Sequence, residues 1–182
     1  MNIWVTADPH FGHKNIIFRC NRPFSSLEEM DDTLIYNWNS QVGKSDAVYV
    51  LGDFLFRQNE EYFLDVFNRL NGRKYLIRGN HDEPFAEKHF LWTKDYFELQ
   101  AYNFKFILFH YPLLSWKGKY KGKTVHLYGH VHNNTDFSPI IPLAFNVGVD
   151  VNGFTPVSLK NILQEFQIKL TALKAKWRGI DL

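Results

Sequence analysis

The segment YLIRGNHD at residues 75–82 joins a short apolar run to a cluster of polar residues. Two earlier segments have the same form, because IWVTA at residues 3–7 leads into Asp8 and AVYVL at residues 47–51 leads into Gly52 and Asp53. Short apolar runs that stop at polar residues are typical of buried strands. The sequence therefore predicts three strands, each followed by a polar loop.

Helical periodicity fills the two intervals between these strands. Apolar residues recur at helical spacing from Leu27 to Val42, behind a candidate capping box at Ser26 and Glu29. A second helix is predicted over residues 60–70, before the turn pair Asn71-Gly72. Alternating strands and helices favour a parallel sheet, so the first half of the chain is predicted to be an α/β unit.

The second half of the chain is richer in predicted strands. Apolar runs predict four of them, at residues 97–102, 104–109, 125–128 and 145–151. Ser158 is a candidate N-cap for a final helix with an apolar stripe from Leu159 to Leu173. Because no internal repeat or linker composition interrupts the sequence, residues 1–182 are predicted to form a single domain.

The composition is that of an ordinary globular protein. Of the 182 residues, 45% are hydrophobic and 22% are charged, and the formal net charge of +2 does not call for nucleic-acid or membrane binding. Cys20 is the only cysteine, which excludes an internal disulfide and any site built from several thiolates. The N-terminal residues lack the basic and apolar regions of a signal peptide, so we expect a cytoplasmic protein with no membrane partner.

Polar motifs follow five of the predicted strands. Loops that leave the carboxyl ends of parallel strands meet in one crevice, so residues far apart in sequence can converge there. Glycines directly before Asp53, Asn80 and His130 are expected to permit the turns that aim these side chains. The candidate metal ligands carry imidazole, carboxylate or amide groups, and they are Asp8, His10, Asp53, Asn80, His110, His130 and His132.

This set of ligands suits the hydrolysis of a phosphate ester. Two divalent ions about 3.5–4 Å apart can share a hydroxide, lower its pKa and offset the charge on the phosphoryl oxygens. Two cations so close need a bridging anion, and Asp53 is the natural candidate as a lone carboxylate behind a glycine at a strand end. Each motif alone is also compatible with an ordinary turn, because Gly, Asn and Asp favour turns. Their joint occurrence behind apolar runs is what favours a metal centre.

The order of these motifs resembles that of the calcineurin-like metallophosphoesterase superfamily: Asp-x-His, Gly-Asp, Gly-Asn-His-Asp or -Glu, a lone His, and Gly-His-x-His. DPHFGH at residues 8–13, CNRPF at residues 20–24 and the short length are similar to a small, uncapped branch found in bacteria and phages. The resemblance implies a single-domain, four-layer α/β/β/α sandwich with mixed sheets. It also implies that Asp53 bridges two metal ions, one held by Asp8, His10 and His132 and the other by Asn80, His110 and His130.

The resemblance gives His81 a catalytic role, in contacting the substrate phosphate or protonating the leaving group, and implies that Asp82 orients the His81 imidazole. Cationic or imidazole side chains near the motifs are candidate contacts for a phosphate ester. Surface ion pairs would also explain each of these four candidates, which are His13, Arg22, Arg57 and Arg78.

These features together predict a dinuclear metal-dependent phosphoesterase in which a metal-bridged hydroxide attacks phosphorus in line. A phosphodiester is favoured, because an uncapped site accommodates two substituents on phosphorus. The alternatives are a phosphomonoesterase or a nucleotide pyrophosphohydrolase, and the substrate can be a nucleotide or a nucleic acid. Manganese is the expected metal, with Fe, Zn²⁺ and Ni²⁺ as alternatives, because imidazole and oxygen ligands suit all four.

Two other hypotheses stay open. A nucleic-acid-binding module would use the aromatic residues, the basic loop from Lys117 to Lys123 and the cationic final helix, but it gives no reason for seven candidate ligands. A mononuclear zinc hydrolase would use His130, His132 and one carboxylate, and it leaves the other motifs unexplained. The metal content of the purified protein distinguishes the binding module from the enzymes.

Overall fold

Two mixed sheets organise the computed structural model, which describes residues 1–178, with the backbone alone at residue 120 and residues 176–178. The first sheet contains, in spatial order, β4 (Thr93–Lys94), β3 (Arg73–Ile77), β2 (Ala47–Leu51), β1 (Ile3–Thr6) and β9 (Val157–Ser158). The second sheet contains β5 (Tyr96–Ala101), β6 (Phe104–Phe109), β7 (Thr124–Tyr128) and β8 (Ala144–Asn146) in that order.

The strand pairing explains why both sheets are mixed. In the first sheet β1, β2, β3 and β4 are parallel, which confirms the predicted parallel unit, and β9 pairs antiparallel with β1. In the second sheet β5 and β6 form an antiparallel hairpin, whereas β6, β7 and β8 are parallel. The parallel strands of each sheet therefore point their carboxyl ends towards a common edge.

Five helices accompany the sheets in the described part of the chain: α1 (Lys14–Arg19), α2 (Leu27–Gln41), α3 (Glu60–Arg69), α4 (Pro84–Glu87) and α5 (Leu159–Arg178). Ser26 caps α2 as predicted, because its side chain accepts a hydrogen bond from the Glu29 backbone N–H at 3.1 Å. The Glu29 carboxylate accepts from the Ser25 N–H at 2.7 Å, so the reciprocal half of the capping box lies one residue earlier than predicted.

Two hydrophobic cores cover the two faces of the first sheet. Tyr49 of β2 faces the second sheet and stacks on Phe97 of β5, while Val48 and Val50 face the opposite side. Residues of α1, α2, α3 and α4 complete the core on that opposite side. Leu159, Ile162 and Phe166 of α5 join the core that the two sheets share. This arrangement of helices around two mixed sheets confirms the predicted α/β fold.

The structure differs from the sequence prediction mainly in the short helices and strands. The helices α1 and α4 and the two-residue strands β4 and β9 were not predicted. The predicted strand at residues 145–151 is wrong beyond Asn146, because Val149–Val151 form a 3-10 turn. None of the described helices is both long enough and apolar enough to cross a membrane.

Candidate metal centre

The five motif loops come together at the carboxyl edges of the two sheets. The loop after β1 runs beside the loop after β2, with hydrogen bonds from Asp8 N to Gly52 O (3.1 Å) and from His10 N to Asp53 O (3.0 Å). Ala7 also bridges to Gly148, which follows β8, and this bridge joins the edges of the two sheets. Residues from both sheets therefore meet in one place.

Three side chains form a first ligand group, made of Asp8, His10 and His132, whose potential ligand atoms lie within 4.8 Å of one another. Asp8 Oδ2 accepts a hydrogen bond from the His130 N–H at 2.8 Å. Asp8 Oδ1 and His10 Nε2 are buried and have no hydrogen-bond partner. Buried polar atoms without partners are costly, and a bound cation would satisfy both of them. The first ligand group therefore fits a metal ion.

Three further side chains form a second ligand group, made of Asn80, His110 and His130. Asn80 Oδ1 lies 3.1 Å from His110 Nε2 and 3.0 Å from His130 Nδ1, so the three potential ligand atoms lie close together. His110 Nδ1 lies 2.8 Å from the Leu51 carbonyl oxygen, which makes Nδ1 the protonated nitrogen and leaves the Nε2 lone pair facing the group. The second ligand group also fits a metal ion.

Asp53 lies between the two groups. Its Oδ2 atom is 3.4 Å from His10 Nε2 and 3.7 Å from His110 Nε2. Its Oδ1 atom accepts a hydrogen bond from the His81 backbone N–H at 2.9 Å, which fixes the carboxylate in this position. One carboxylate is thus placed to contact ions in both groups.

The electrostatics of the site also favour cations. Burial, together with the nearby Asp53 charge, raises the pKa of Asp8 well above its usual value. Burial lowers the pKa of His10, His110 and His130, so these imidazoles are neutral and keep a lone pair for a ligand. A divalent ion would stabilise the ionised Asp8 carboxylate, because an opposite charge offsets the cost of desolvation.

Five of the proposed ligands hold unusual backbone conformations. The φ angles are 57° at Asp8, 53° at His10, 55° at Asp53, 70° at His130 and 49° at His132. Positive φ is uncommon outside glycine and is concentrated at functional sites. The predicted role of the preceding glycines is confirmed for Gly52, whose φ angle is 86°, but it is wrong for Gly79 and Gly129, whose φ angles are not positive.

Gly129 is required because side-chain atoms of Ala7 and Asp8 approach its Cα closely, and not because its backbone needs a positive φ angle. A Cβ atom at this position would lie 2.4 Å from the Ala7 Cβ and 2.4 Å from Asp8 Oδ2. Gly79 is restricted in the same way, because its Cβ would lie 2.3 Å from Asp53 Oδ1. These two glycines let the motif loops pack directly against the carboxylates.

His81 and Asp82 occupy different surroundings. His81 is exposed and lines a cleft of about 160 Å³ above the ligand groups, together with His13, Arg19 and Asn134. The Asp82 carboxylate accepts hydrogen bonds from the backbone N–H groups of Asp53 (3.0 Å), Phe54 (2.9 Å) and Gly79 (2.7 Å). Asp82 therefore ties two motif loops together, and its described hydrogen bonds do not include the His81 imidazole that it was expected to orient.

The four candidate substrate contacts lie in different surroundings. His13 lines the cleft and stacks on Phe56, with ring centroids 3.7 Å apart. Arg57 lies over the same Phe56 ring, 5.2 Å from its centroid. Arg78 pairs with Glu87 at 2.7 Å and also with Asp95. Arg22 is buried and faces the back of the first ligand group. Arg22 and Arg78 are thus already paired within the protein.

Two residues near the site were missed from the sequence. Arg19, at the end of α1, lines the cleft and has no carboxylate partner among the described residues. Asp150 accepts a hydrogen bond from His132 Nδ1 at 2.8 Å. The sequence signal for Arg19 was its position close after DPHFGH, whereas Asp150 fell inside a segment predicted to be a strand.

Known proteins resemble this chain in sequence and in structure. The family model described as calcineurin-like phosphoesterase matches residues 1–174. An uncharacterized protein of Methanocaldococcus jannaschii, MJ1445, is 40% identical over 166 residues, which cover 89% of this chain and 89% of that protein. The gene 66 protein of Mycobacterium phage L5 is 41% identical over 85 residues, which cover 46% of this chain and 41% of the phage protein.

A solved structure shares the fold. The protein of unknown function AQ665 from Aquifex aeolicus aligns with a TM-score of 0.74 at 24% identity, over 90% of this chain and 98% of that chain. Because the family model spans every motif loop from Asp8 to His132, the chain belongs to the calcineurin-like phosphoesterase family and is, in general terms, a metal-dependent phosphoesterase.

Proposed function

We propose that this protein is a two-metal phosphodiesterase, in which the two ligand groups hold divalent ions and Asp53 bridges them. The observation that carries the proposal is the position of Asp53 Oδ2, 3.4 Å from His10 Nε2 and 3.7 Å from His110 Nε2. Divalent ions held there would supply an activated water and offset the charge of the phosphoryl oxygens.

His81 is the proposed catalytic side chain outside the ligand groups. Its backbone is held by Asp53, and its ring centroid lies 5.7 Å from that of His10. Because the imidazole is exposed to the cleft, substrate can reach it. We propose that His81 contacts the phosphate and protonates the leaving alkoxide. Asp82 supports this reaction by holding the backbone of the two loops that carry Asp53 and His81.

The shape of the cleft favours a phosphodiester. His13, Arg19 and Asn134 line the cleft together with the ligand groups and offer hydrogen-bond donors to a phosphodiester. A phosphomonoester or a nucleotide pyrophosphate is the alternative substrate class. We propose manganese as the metal, with Fe, Zn²⁺ and Ni²⁺ as alternatives that share the preference for imidazole and oxygen ligands.

A nucleotide suits this cleft better than a long nucleic acid. The basic loop of Lys117 to Lys123 comes directly before β7, whereas His130 follows the other end of that strand. At about 3.3 Å per residue, a five-residue strand separates the loop from the metal centre by roughly 15 Å. The described side chains of residues 117–123 therefore do not line the cleft, and they add no cationic contacts there for a long nucleic acid. The cytoplasmic location stays a prediction, which cell fractionation tests.

The test is a panel of aryl phosphodiesters, phosphomonoesters and nucleotide pyrophosphates, run on metal-analysed wild-type protein and on Asp53→Asn. We expect Mn²⁺-dependent turnover of the diester by the wild type, and a loss of at least about 10³-fold in Asp53→Asn, because the amide lacks the bridging charge. Asp32→Asn is the matched control, since its exposed carboxylate pairs with Arg69 away from the site. Undiminished turnover in Asp53→Asn would overturn the bridging role, and a preference for monoesters would replace the proposed substrate class.

A further inference from the structure

A buried ion pair lies directly behind the first ligand group. Arg22 Nε donates to Asp150 Oδ1 at 2.8 Å and Arg22 Nη2 donates to Asp150 Oδ2 at 3.0 Å, so the pair is bidentate. The side chains are 0% and 1% exposed, respectively. Burying two charges is costly unless other hydrogen bonds satisfy them, and both side chains make further hydrogen bonds.

Besides a 3.4 Å contact from Nη1 to Met30 Sδ, the guanidinium of Arg22 makes two further hydrogen bonds, and both reach the chain segment that carries two proposed ligands. Arg22 Nη2 donates to the Asp8 carbonyl oxygen at 2.8 Å, and Arg22 Nη1 donates to the Pro9 carbonyl oxygen at 2.9 Å. Asp8 and His10 hold left-handed backbone conformations, with φ angles of 57° and 53°. The guanidinium therefore holds a strained turn in place from behind.

The remaining contact of Asp150 reaches the third member of the same group. Asp150 Oδ2 lies 2.8 Å from His132 Nδ1, and a carboxylate in this position keeps the proton on Nδ1. The Nε2 lone pair of His132 is then the one that is free for a metal ion. Arg22 and Asp150 together connect both segments of the first ligand group, although the two residues are 128 positions apart.

The second ligand group has no comparable support in the described structure. His110 Nδ1 is held by the Leu51 carbonyl oxygen, and His130 Nδ1 faces Asn80 Oδ1. A neutral carbonyl oxygen increases the basicity of an imidazole less than a carboxylate does. Among the histidines of the two groups, His132 is the one whose outer ring nitrogen faces a carboxylate in the described structure, whereas the Nδ1 atoms of His10 and His110 face His13 and the Leu51 carbonyl oxygen.

We propose that the Arg22–Asp150 pair is a positioning device for the first ligand group, and that it sets the affinity for a divalent ion at that position alone. The inference rests on the proposed metal centre. Outer partners of metal-binding histidines typically change metal affinity by about 10- to 100-fold when they are removed. Arg22 is then a positioning residue and does not contact the substrate.

The test measures Mn²⁺ binding by isothermal titration calorimetry on wild-type protein, Asp150→Asn and the control Glu87→Gln, which breaks an ion pair to Arg78 outside the ligand groups. For wild type and control we expect two bound ions. For Asp150→Asn we expect one affinity to fall about 10- to 100-fold while the other stays within about twofold. Electron paramagnetic resonance should change from the coupled signal of an ion pair to the six-line signal of an isolated Mn²⁺.

A double variant, Arg22→Met with Asp150→Leu, keeps the test valid if the single variant does not fold. Apolar replacement of a buried ion pair is often neutral for stability. We expect the folded double variant to lose the same single ion, and its melting temperature to be lowered because the Asp8 and Pro9 carbonyl oxygens lose their donor. Two unchanged affinities in either variant, or an equal loss at both positions, would overturn the inference. Wild-type protein that binds no Mn²⁺ would instead overturn the proposed metal centre.

Discussion

Arg19 is the cation in the cleft whose position is suited to bind a substrate phosphate. It lines the cleft beside His13, and none of the described carboxylates pairs with it. Arg22 and Arg78, which are as close to the motifs in sequence, are held by carboxylates inside the protein. Distance along the chain could not separate these three residues, because pairing depends on side chains from other segments.

Replacing Arg19 by Met should raise KM for an aryl phosphodiester about tenfold and leave kcat within about twofold. The reason is that a charge-assisted hydrogen bond to a phosphate oxygen contributes to binding in the ground state and the transition state alike. Steady-state kinetics at saturating Mn²⁺ provide the measurement. Lys14→Met, at the exposed start of the same helix, is the control and should leave KM unchanged. An unchanged KM in Arg19→Met would exclude the contact.

One carboxylate anchors the start of β1. Asp46, just before β2, accepts hydrogen bonds from the Asn2 backbone N–H (2.7 Å), the Trp4 indole N–H (3.0 Å) and the Gly43 N–H (3.1 Å). These hydrogen bonds, that from Asn2 above all, lower the pKa of Asp46 to about 2. The ionised carboxylate therefore stabilises the register between β1 and β2.

This anchor should make stability depend on pH in a defined window. The folded pKa of about 2 lies below the unfolded value of about 3.9, so the contribution of Asp46 is complete above about pH 5 and is lost as the pH falls towards 2. We expect Asp46→Asn to lower the urea midpoint at pH 7, and the gap to the wild type to close progressively between pH 5 and pH 2. The urea midpoint of the control Asp32→Asn should differ little from that of the wild type at every pH, because the ion pair between Asp32 and Arg69 is exposed. A gap for Asp46→Asn that is constant with pH would contradict this prediction.

Long elements could be predicted from the sequence, and short ones could not. The helix α2 and the strands β2 and β6 carry enough apolar residues to reveal a period of 3.6 or a continuous buried run. The two-residue strands β4 and β9 carry no period at all. They exist because β3 and β1 offer free edges to pair with, which is a property of the assembled sheet.

The proposed metal centre lies where the two sheets meet. Asp8 follows a strand of the first sheet, whereas His110 and His130 follow strands of the second. Ions bound between these loops would therefore stabilise the packing of one sheet on the other. Because the buried carboxylates of Asp8 and Asp53 lie close together, the protein without metal keeps a repulsion that the ions would remove.

Removing the metal should accordingly lower the melting temperature. Free Mn²⁺ at 100 times its Kd stabilises a folded protein by about 2.7 kcal/mol, which corresponds to about 5–10 °C for a chain of this size. Differential scanning calorimetry with EDTA and with added Mn²⁺ measures the shift. In Asp53→Asn we expect Mn²⁺ to raise the melting temperature by only a small fraction of the wild-type shift, because the carboxylate placed to contact both ions is replaced by a neutral amide. Equal melting temperatures of the wild type with and without Mn²⁺ would contradict the proposal.

By itself, the sequence determined the strand and loop order, the parallel unit and the set of residues that converge at the carboxyl edges, because apolar runs and strand ends are local features. Only the tertiary structure decided which cations face the cleft, that Asp82 holds backbone instead of the His81 ring, and that Asp150 stands behind His132. The physical reason is that these roles depend on burial and on hydrogen bonds between distant segments, such as the bond from Arg22 to Asp150 across 128 positions, and no local pattern encodes such a bond.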